Sequence, residues 1–326
     1  LSNSNPILDD LFKFTVDRSE GIYKRWFLED LLANWSNVSA RDYKEYGKIP
    51  DLKQQVDFYT NNIKTSKTKS YVIISDALRY EVAKELVDEI KQDMQCKVEL
   101  DHMVGIFPTI TPFGMAALLP HKELKVDIRN NKLKVLIDGE STDMPNREKV
   151  LRKTNEKSRV LKYDDMIHMK GEERKELVKG MDVVYIYHDR IDSSSHTSDS
   201  LVFAACSDAI EEIKNLVRIL VNEFSAVNIF ITSDHGFLYT YEELKEDDKV
   251  AQEGFEGLVE LGRRYAIMNQ SANPSYLMPI KFIDETSGLK AFATKDNIRI
   301  KKLGSGINFV HGGISLQEKV VLLIKY

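Results

Sequence analysis

The chain has 326 residues, of which 42% are hydrophobic and 30% charged, and its formal net charge is −5. This balance is typical of a globular protein with a large core, and the mildly acidic charge argues against a protein that coats nucleic acid through bulk charge. Two cysteines, Cys96 and Cys206, exclude a disulfide framework and a Cys-rich zinc module, and no apolar run approaches the ~20 residues of a membrane helix. The composition therefore indicates a cytoplasmic, enzyme-sized protein with no membrane partner.

The two ends of the sequence favour a segment of a longer polypeptide. The first residue is Leu1 rather than Met, and it opens a polar stretch with no signal-peptide character. The last residues follow an apolar run, 320–324, of helical or strand character. We therefore expect further chain outside this segment.

The first part of the chain is predicted to be helical. Residues 1–70 contain aromatic and aliphatic residues at helical spacing, such as Tyr23 and Leu31, and end in the polar stretch 65–70. We interpret them as a helical lead-in with its linker. The core domain is then expected over residues 71–326.

Strands and helices alternate from residue 71 onward. The β-branched run 71–74 is typical of a buried parallel strand, and residues 77–90 have helical spacing. A second strand is predicted at 183–187, a long helix at 210–224 and a third strand at 227–231. This alternation predicts an α/β fold with a largely parallel sheet covered on both faces.

Two stretches interrupt this alternation, and we interpret both as insertions. Residues 121–180 hold 16 basic and 12 acidic residues, a balance of +4 that leaves −9 for the rest of the chain, and contain one strand-like run at 133–137. Residues 240–305 begin acidic and become strand-like around 265–268. We predict that the first stretch lies beside the core as an insertion or cap.

Carboxylates and imidazoles follow the predicted strands. Asp76 follows the first predicted strand, a segment that contains Asp192 and His196 follows the second, and the pair Asp234 and His235 follows the third. Because ligands bind outside the carboxyl ends of the strands in open α/β sheets, these groups should converge. Carboxylate and neutral imidazole together suit Zn²⁺ or Mn²⁺ better than Ca²⁺.

Each of these signals also has an ordinary structural interpretation. Asp76 alone is more often a helix cap or turn residue, and the Asp234–Gly236 stretch is also typical of a turn. Asp192 and His196, four residues apart, could form a surface pair on a helix. The joint pattern at the ends of predicted strands favours a metal site over separate coincidences.

A further histidine, His311, lies between a short apolar run and a glycine pair. The glycines allow a tight turn and a close approach of the backbone, and Ser315 and Glu318 have the spacing of a helix capping box. By itself, His311 is more often a loop histidine than a ligand. Its assignment to the site depends on the other residues.

A threonine at a predicted helix start is the candidate nucleophile. Thr111 is a suitable N-cap and Pro112 suits the first helical position, so a simple cap explains both. The same geometry places a hydroxyl beside free backbone N–H groups, which favour phosphate. Coordination of that hydroxyl to a divalent cation would favour its alkoxide.

Five phrases of this sequence, in this order, resemble the alkaline phosphatase superfamily and, more closely, the PglZ proteins of BREX-type bacterial phage-defence systems. They lie at 74–81, 107–112, 187–192, 232–236 and 311–313. The resemblance implies an alkaline-phosphatase-like three-layer α/β/α sandwich and a role in restricting phage. It also implies partners among other phage-defence proteins.

The resemblance further implies two divalent metal ions, commonly zinc with manganese as the alternative, on either side of a Thr nucleophile. One ion would be held by Asp76, Thr111, Asp234 and His235, and the other by Asp192, His196 and His311. Thr111 is preferred to Thr109 because phosphodiesterase relatives carry a similar Phe-Pro-Thr-x-Thr phrase in which the second Thr reacts. The following residues, 112–114, depart from those relatives by lacking an Asn that would bind a phosphate oxygen.

Some assignments stay open at the level of sequence. Asp189 is an alternative to Asp192, and His188 could support a ligand from behind. Arg79 or Arg190 could clamp phosphate oxygens or form surface ion pairs instead. The sequence has no Cys-x-Pro-x-Arg phrase, which argues against a sulfatase.

Three functions are compatible with these features. The first is a metal-dependent, phosphatase-like hydrolase of a phosphate ester, with Thr111 as nucleophile. The second is a phosphodiesterase or nuclease with the same metals, favoured only by the +4 stretch. The third is a non-catalytic scaffold of a defence complex that keeps the metal site for stability.

Overall fold

A computed structural model of the chain describes residues 6–94, 96–129, 132–195, 197–242, 244–303 and 308–326. Its α-helices span Pro6–Ile22 (α1), Leu32–Tyr46 (α2), Tyr80–Met94 (α3), Thr111–Ala117 (α4), Arg147–Thr154 (α5), Tyr163–His168 (α6), Gly171–Val178 (α7), Ile191–Ser195 (α8), Val202–Phe224 (α9) and Leu316–Lys319 (α10). π-helical turns at Tyr23–Leu31 join α1 to α2. In the described part of the chain, no helix is long and apolar enough to span a membrane.

The strands are mostly short. They span Ser70–Ser75 (β1), Glu99–Val104 (β2), Leu124–Arg129 (β3), Lys132–Ile137 (β4), Glu140–Ser141 (β5), Ser158–Lys162 (β6), Val183–His188 (β7), Ile229–Thr232 (β8), Leu238–Tyr239 (β9), Lys249–Val250 (β10), Leu258–Leu261 (β11), Tyr265–Asn269 (β12), Met278–Ile280 (β13), Leu289–Ala293 (β14), Arg299–Ile300 (β15), Phe309–Val310 (β16) and Val320–Lys325 (β17).

The central sheet has six strands in the order β2-β17-β8-β1-β7-β6. Neighbouring strands from β8 to β6 are parallel, whereas β17 runs antiparallel to both β8 and β2. The inner strands are continuously apolar because both faces of the sheet are covered. This arrangement confirms the predicted α/β fold with a largely parallel sheet.

Alternate residues of the inner strands belong to two hydrophobic layers, one on each face of the sheet, as the two-residue period of a strand requires. Ile73 and Val184 face α3 and α9 on one side of the sheet. Val72 and Tyr185 face the other side, in a core shared with α4 and α5. The structure is therefore a three-layer α/β/α sandwich, as the resemblance implied.

The helical lead-in packs on this sandwich. Tyr43 of α2 and Phe58 are fully buried and belong to the same hydrophobic core as Val72 of β1. The boundary placed at residue 70 stays a prediction.

The two predicted insertions contribute small antiparallel sheets. In the first, β3, β4 and β5 form a three-stranded sheet, and in the second β11, β12, β14 and β13 form a four-stranded one. Residues 121–180 are not wholly beside the core, because β6 pairs in parallel with β7 and forms an edge of the central sheet. Sequence periodicity did not identify β6, since only two of its five residues, Val160 and Leu161, are apolar, and they are adjacent.

Candidate metal centre

The register of the central sheet brings three carboxylates to one edge. Ile74 of β1 pairs with Thr232 of β8 on one side, and Ser75 pairs with His188 of β7 on the other. Each of these neighbouring strands ends at nearly the same level, so the residues that follow them are adjacent. Those residues are, by strand, Asp76 after β1, Asp189 after β7 and Asp234 after β8.

A compact group of buried ligand atoms lies at this edge. One carboxylate oxygen each of Asp76 and Asp234 and one ring nitrogen of His235 lie within 4.8 Å of one another. His235 Nε2 is 3.3 Å from Asp234 Oδ2 and 3.7 Å from Asp76 Oδ1. The three side chains are buried, with His235 fully so. We call these three residues the carboxylate–imidazole cluster.

A backbone contact fixes which nitrogen of His235 faces the cluster. Its Nδ1 lies 3.0 Å from the carbonyl oxygen of Gly236, and because a carbonyl can only accept, Nδ1 carries the proton of a neutral ring. The lone pair is then on Nε2, which points at the two carboxylates. The nitrogen lone pair and the carboxylate oxygens therefore point at one another, and none of them carries a proton to share. Such a group of electron-pair donors is typical of a cation site.

The distances in the cluster fit a small divalent ion. Ligand atoms about 2.1 Å from a tetrahedral metal lie about 3.4 Å from one another, and the separations from His235 Nε2 are 3.3 and 3.7 Å. Asp76 Oδ1 and Asp234 Oδ2 have no hydrogen-bond partner among the described residues. Buried carboxylate oxygens without partners are costly, so the residues present fit a metal ion.

The electrostatics of the cluster give the same conclusion. Burial, and then the neighbouring charge of Asp234, raise the pKa of Asp76 well above its usual value. Burial also raises the pKa of Asp234. The hydrogen bond that the amide of Ala77 donates to Asp234 Oδ1 over 3.1 Å acts in the opposite direction but does not outweigh burial. Burial is the main cause of both shifts, because a buried carboxylate is costly to ionise, and a nearby carboxylate adds to each: Asp234 for Asp76, and Asp192 for Asp234. A cation between them would remove that cost.

The hydroxyl of Thr111 faces the same point. Thr111 Oγ1 lies 3.3 Å from His235 Nε2, and the residue is only partly buried. The predicted cap is wrong by one position: α4 begins at Thr111, and the residue in the N-cap position is Ile110. Thr111 is thus the first residue of the helix, and its side chain points towards the cluster.

The hydroxyl of Thr109, unlike that of Thr111, bonds to the backbone of the glycine pair at 312–313. Its hydroxyl is buried, donates to the carbonyl of Gly313 over 2.9 Å and accepts from the amide of Gly312 over 3.0 Å. It therefore joins the segment before α4 to the glycine pair that follows His311.

His311 is brought beside the cluster by this connection. Its ring stacks on that of His235, with centroids 4.3 Å apart and planes 4° from parallel. His311 Nδ1 lies 3.2 Å from the carbonyl of Thr109, which leaves Nε2 as the lone-pair nitrogen. Burial and the neighbouring His235 lower the pKa of His311 to about 4, so the ring is neutral near pH 7.

A second group of carboxylates adjoins the first. Asp76, Asp189 and Asp192 each offer an oxygen within 4.8 Å of the other two. Asp189 is exposed and Asp192 is partly buried at the start of α8. Both alternatives considered from the sequence thus lie near Asp76. His196 lies outside the described residues.

Three other sequence candidates make contacts away from the cluster. His188 bonds through its ring to Ser75 Oγ at 2.9 Å and to Glu212 Oε2 at 2.8 Å. Arg190 pairs with Glu212. Arg79 pairs with Glu81, and its guanidinium lies 4.6 Å from the ring centroid of Phe237. The contact of the exposed Arg190 fits a surface ion pair, whereas Arg79 is buried, so its pair with Glu81 is not a surface one.

Two residues that sequence reasoning missed hold Asp234 in place. The fully buried Gln55 donates to the carbonyl of Asp234 over 2.7 Å and accepts from the amide of Ile106 over 3.0 Å. Gly114 lies so close to Asp234 that an added Cβ would be 2.2 Å from its carbonyl oxygen. No local sequence signal identifies Gln55, whereas Gly114 was noted only as a departure from relatives.

A buried ion pair supports the loop of His311. Glu318 accepts from the amide of Gly313 over 2.7 Å and from that of Ser315 over 3.0 Å, which confirms the predicted capping box. Its carboxylate also pairs with Arg264 Nη2 at 3.0 Å, and both side chains are fully buried. The capping box was visible in the sequence, but the distant Arg264 was not.

Comparison with known proteins gives a consistent family result. Residues 53–326 match the family model described as the BREX system PglZ alkaline phosphatase-like domain. The alkaline phosphatase-like protein BrxZ of Escherichia coli O9:H4 (strain HS) is 34% identical over 97% of this chain and 38% of its own length. The alkaline phosphatase-like protein PglZ of Bacillus cereus (strain H3081.97) gives the same 34%, 97% and 38%. The chain therefore spans less than half the length of these curated relatives.

Solved structures share the fold. The murine ectonucleotide pyrophosphatase/phosphodiesterase 5, as an inactive variant in complex with AMP, aligns with a TM-score of 0.54 and 15% identity over 80% of this chain and 88% of that one. The human ectonucleotide pyrophosphatase/phosphodiesterase 5 aligns with a TM-score of 0.50 and 13% identity over 79% and 87%. At these identities the likeness concerns the fold alone.

Proposed function

The chain belongs to the PglZ family of BREX alkaline phosphatase-like domains, and from that membership we propose that it is a metal-dependent phosphoryl-transfer enzyme with Thr111 as nucleophile. The observation that carries the proposal is the convergence of Thr111 Oγ1 and two buried carboxylate oxygens on His235 Nε2. Neither oxygen has a hydrogen-bond partner in the part of the chain that the structure describes. A helix cap or a surface turn does not require this convergence.

The carboxylate–imidazole cluster and Thr111 would hold one divalent ion. Asp192 and His311, together with His196, would hold a second. Zinc suits this mixture of imidazole and carboxylate best, with manganese as the alternative. When bound, such ions supply Lewis acidity that lowers the pKa of a hydroxyl and offsets the charge of a phosphate.

The reaction of the chain's own residues follows from this arrangement. The hydroxyl proton of Thr111 is lost to solvent, and Oγ1 forms a bond to phosphorus as the bond to the leaving oxygen breaks. The leaving oxygen takes a proton from solvent. Water then attacks the phosphothreonine, which releases the phosphate and restores the hydroxyl. The net change is hydrolysis of one phosphate ester.

The position of Thr111 supports this role. Thr111 is the first residue of α4, and its hydroxyl faces the carboxylate–imidazole cluster. Its partial exposure allows a substrate to approach. His235 and His311, each with Nδ1 bonded to a carbonyl, keep their Nε2 lone pairs available.

For the whole protein we propose a place in a BREX phage-defence system, with other defence proteins as its partners and the cytoplasm as its location. Family membership supports this proposal, as do the names of the curated relatives.

The experiment that tests the proposed function uses a chromogenic phosphate monoester and diester with the metal-loaded protein. We expect turnover in the wild type and a loss of at least about 1,000-fold in Thr111→Ala, the scale seen when a nucleophile is removed. Thr111→Ser keeps the hydroxyl and should retain measurable activity.

Thr109→Ser is the matched control for an adjacent hydroxyl that does not face the cluster, and it should keep near wild-type turnover. Full activity in Thr111→Ala would remove Thr111 from the mechanism. A metal-loaded wild type inert on both esters would favour the scaffold function instead.

A further inference from the structure

A cavity lined by basic residues, the basic cavity, lies near the proposed catalytic site, and none of its residues has been assigned a role. It has a volume of about 360 Å³ and forms where three chain segments meet. The two-residue strands β10 and β15 pair in parallel. The amide of Ile300 donates to the carbonyl of Arg263 over 2.7 Å, and that of Lys301 donates to Val250 over 2.9 Å. These bonds fix the basic residues of the three segments around one space.

The charges around this cavity are strongly unbalanced. Among the described residues, its charged lining residues are Glu246, Lys249, Arg263, Arg299, Lys301 and Lys302, which is five cations against one anion in a chain of net charge −5. Glu246 pairs with both Lys249 and Lys301, at 2.9 Å each. The single carboxylate is thus shared between two lysines and leaves the cavity positive.

Arg299 is the residue that most needs a further partner. Only 2% of its surface is exposed, and Nη1 donates to the carbonyl of Asn297. Its Nε and Nη2 have no hydrogen-bond partner among the described residues. A buried guanidinium with unused donors is costly unless an anion or ordered water completes it.

The carboxylate of Glu318, whose charge acts on Arg299, does not complete it. Glu318 is already bonded to Arg264 and to two backbone amides. Burial, and then the charge of Arg264, lower the pKa of Arg299 to about 9, the direction expected of a cation without an adequate counter-charge.

The basic cavity adjoins a second one that reaches the candidate metal centre. This second cavity, of about 320 Å³, is lined by Ile110 and His311, and also by the carboxylates of Asp199 and Glu260. Arg263 and Lys302 line both cavities. A ligand extended along this line would therefore touch both the His311 side and the basic side.

We propose that the cavity lined by Arg299 is a second phosphate-binding site, and that it holds a further phosphate group of the substrate, beyond the one that reacts. Arginine and lysine together suit phosphate, the first through its fork of donors and the second as a point charge. The substrate is then a phosphodiester chain or another compound with at least two phosphates. This part of the inference rests on the proposed function, whereas binding of phosphate at Arg299 does not.

The binding test separates the two parts. The full chain is first treated with a chelator, so that phosphate cannot bind at the metal centre, and is then titrated calorimetrically with inorganic pyrophosphate at fixed salt. We expect one site in the wild type and in Thr111→Ala, and at least about 10-fold weaker binding in Arg299→Met, as for loss of a charged hydrogen-bonding group. Arg299→Met keeps most of the side-chain volume.

A milder variant covers the case in which Arg299→Met does not fold. Lys302 is exposed at the rim, so Lys302→Gln should fold normally and bind pyrophosphate several-fold more weakly. Lys97→Gln, a distant and exposed residue, makes the same change in net charge and should bind as the wild type does. No binding by the chelated wild type, or equal binding by Lys302→Gln and Lys97→Gln, would overturn the proposal.

The kinetic test addresses the substrate. In the metal-loaded protein, Arg299→Met should raise the KM for an oligothymidylate by about 10-fold with kcat within about twofold, since the lost contact is uniform binding. The KM for bis(4-nitrophenyl) phosphate, which has a single phosphate, should not change. An equal change for both substrates would contradict the extended substrate. Wild-type inactivity on both would count against the proposed function and leave the binding result standing.

Discussion

At the scale of single residues, the candidate site depends on close backbone packing as much as on its ligands. Asp234 is held from one side by Gln55 and from the other by Gly114. Ala77, directly after Asp76, has a positive φ of 59° and uses its amide to bond Asp234 Oδ1. A non-glycine residue in this region costs about 1 kcal/mol or more, and such cost is typical of functional sites. The proposed ligands are therefore positioned by neighbouring residues that are not themselves ligands.

Gly114→Ala tests this packing. A Cβ at this position would lie 2.2 Å from the Asp234 carbonyl oxygen, so α4 or the Asp234 loop must move, and overpacking of this kind costs about 1–3 kcal/mol. We expect a lower urea midpoint and weaker metal binding.

Gly171→Ala is the matched control for the glycine substitution. An added Cβ there meets Glu223 only at 3.5 Å, at the start of α7, so its stability should be unchanged or slightly higher. If both variants unfold at the same urea concentration, the close approach of α4 to Asp234 is not required.

At the scale of elements, the strands and their carboxyl ends could be predicted, but the pairings between distant segments could not. β1, β7 and β8 have continuous apolar runs, so both their positions and the convergence of the residues after them follow from general rules. The antiparallel placement of β17 between β8 and β2 has no signature in its apolar sequence. The bond between Arg264 and Glu318 spans 54 residues and depends on tertiary packing alone.

Glu318→Gln tests the buried connection between β12 and the His311 loop. Arg264 would lose its counter-charge while fully buried, and breaking one side of such a pair costs about 3–5 kcal/mol. Urea unfolding at pH 7 measures this loss. Glu172→Gln, which breaks the exposed pair with Lys175, is the control and should change stability by no more than about 0.5 kcal/mol.

The same pair predicts a pH dependence. Burial acts to raise the pKa of Glu318, but the charge and hydrogen bonds of Arg264 outweigh it and hold the pKa below its usual value. The carboxylate therefore stabilises the fold fully above its unfolded pKa of about 4.3, and this contribution is lost as pH falls through the lower folded value. Below the unfolded pKa, stability of the wild type should fall more steeply with decreasing pH than that of Glu318→Gln; parallel curves would contradict the role of the pair.

At the scale of the whole molecule, metal binding at the cluster should be coupled to folding stability. Buried Asp76 and Asp234 repel each other in the absence of a cation, so an ion that binds only the folded chain stabilises it. At about 100 times its dissociation constant, such an ion contributes about 2.7 kcal/mol. Zinc should thus raise the unfolding temperature of the chelated protein by several degrees.

Asp76→Asn is the variant for this thermal measurement. It removes one charge and one ligand, so the chelated variant should be no less stable than the chelated wild type and should gain little from zinc. Asp88→Asn, an exposed carboxylate on α3, should respond to zinc as the wild type does. Equal zinc responses in all three proteins would place the ion elsewhere.

The sequence also left part of the whole-molecule arrangement undetermined. Fold class and the resemblance to the PglZ family could be identified because motif order and strand periodicity are local features. The basic cavity around Arg299 could not, since its cations come from β10, β15 and the turn before β12, and each alone looks like an ordinary surface charge. The three segments meet only through backbone bonds formed in the folded chain.

The most direct measurement is anomalous diffraction at the zinc edge from crystals of the zinc-loaded chain. The account predicts a peak between Asp76, Asp234 and His235, about 2 Å from the ligand atoms, with a second peak beside Asp192 and His311. Zinc bound only at other residues, or no anomalous peak at this edge of the sheet in a fully folded, zinc-loaded protein, would contradict it.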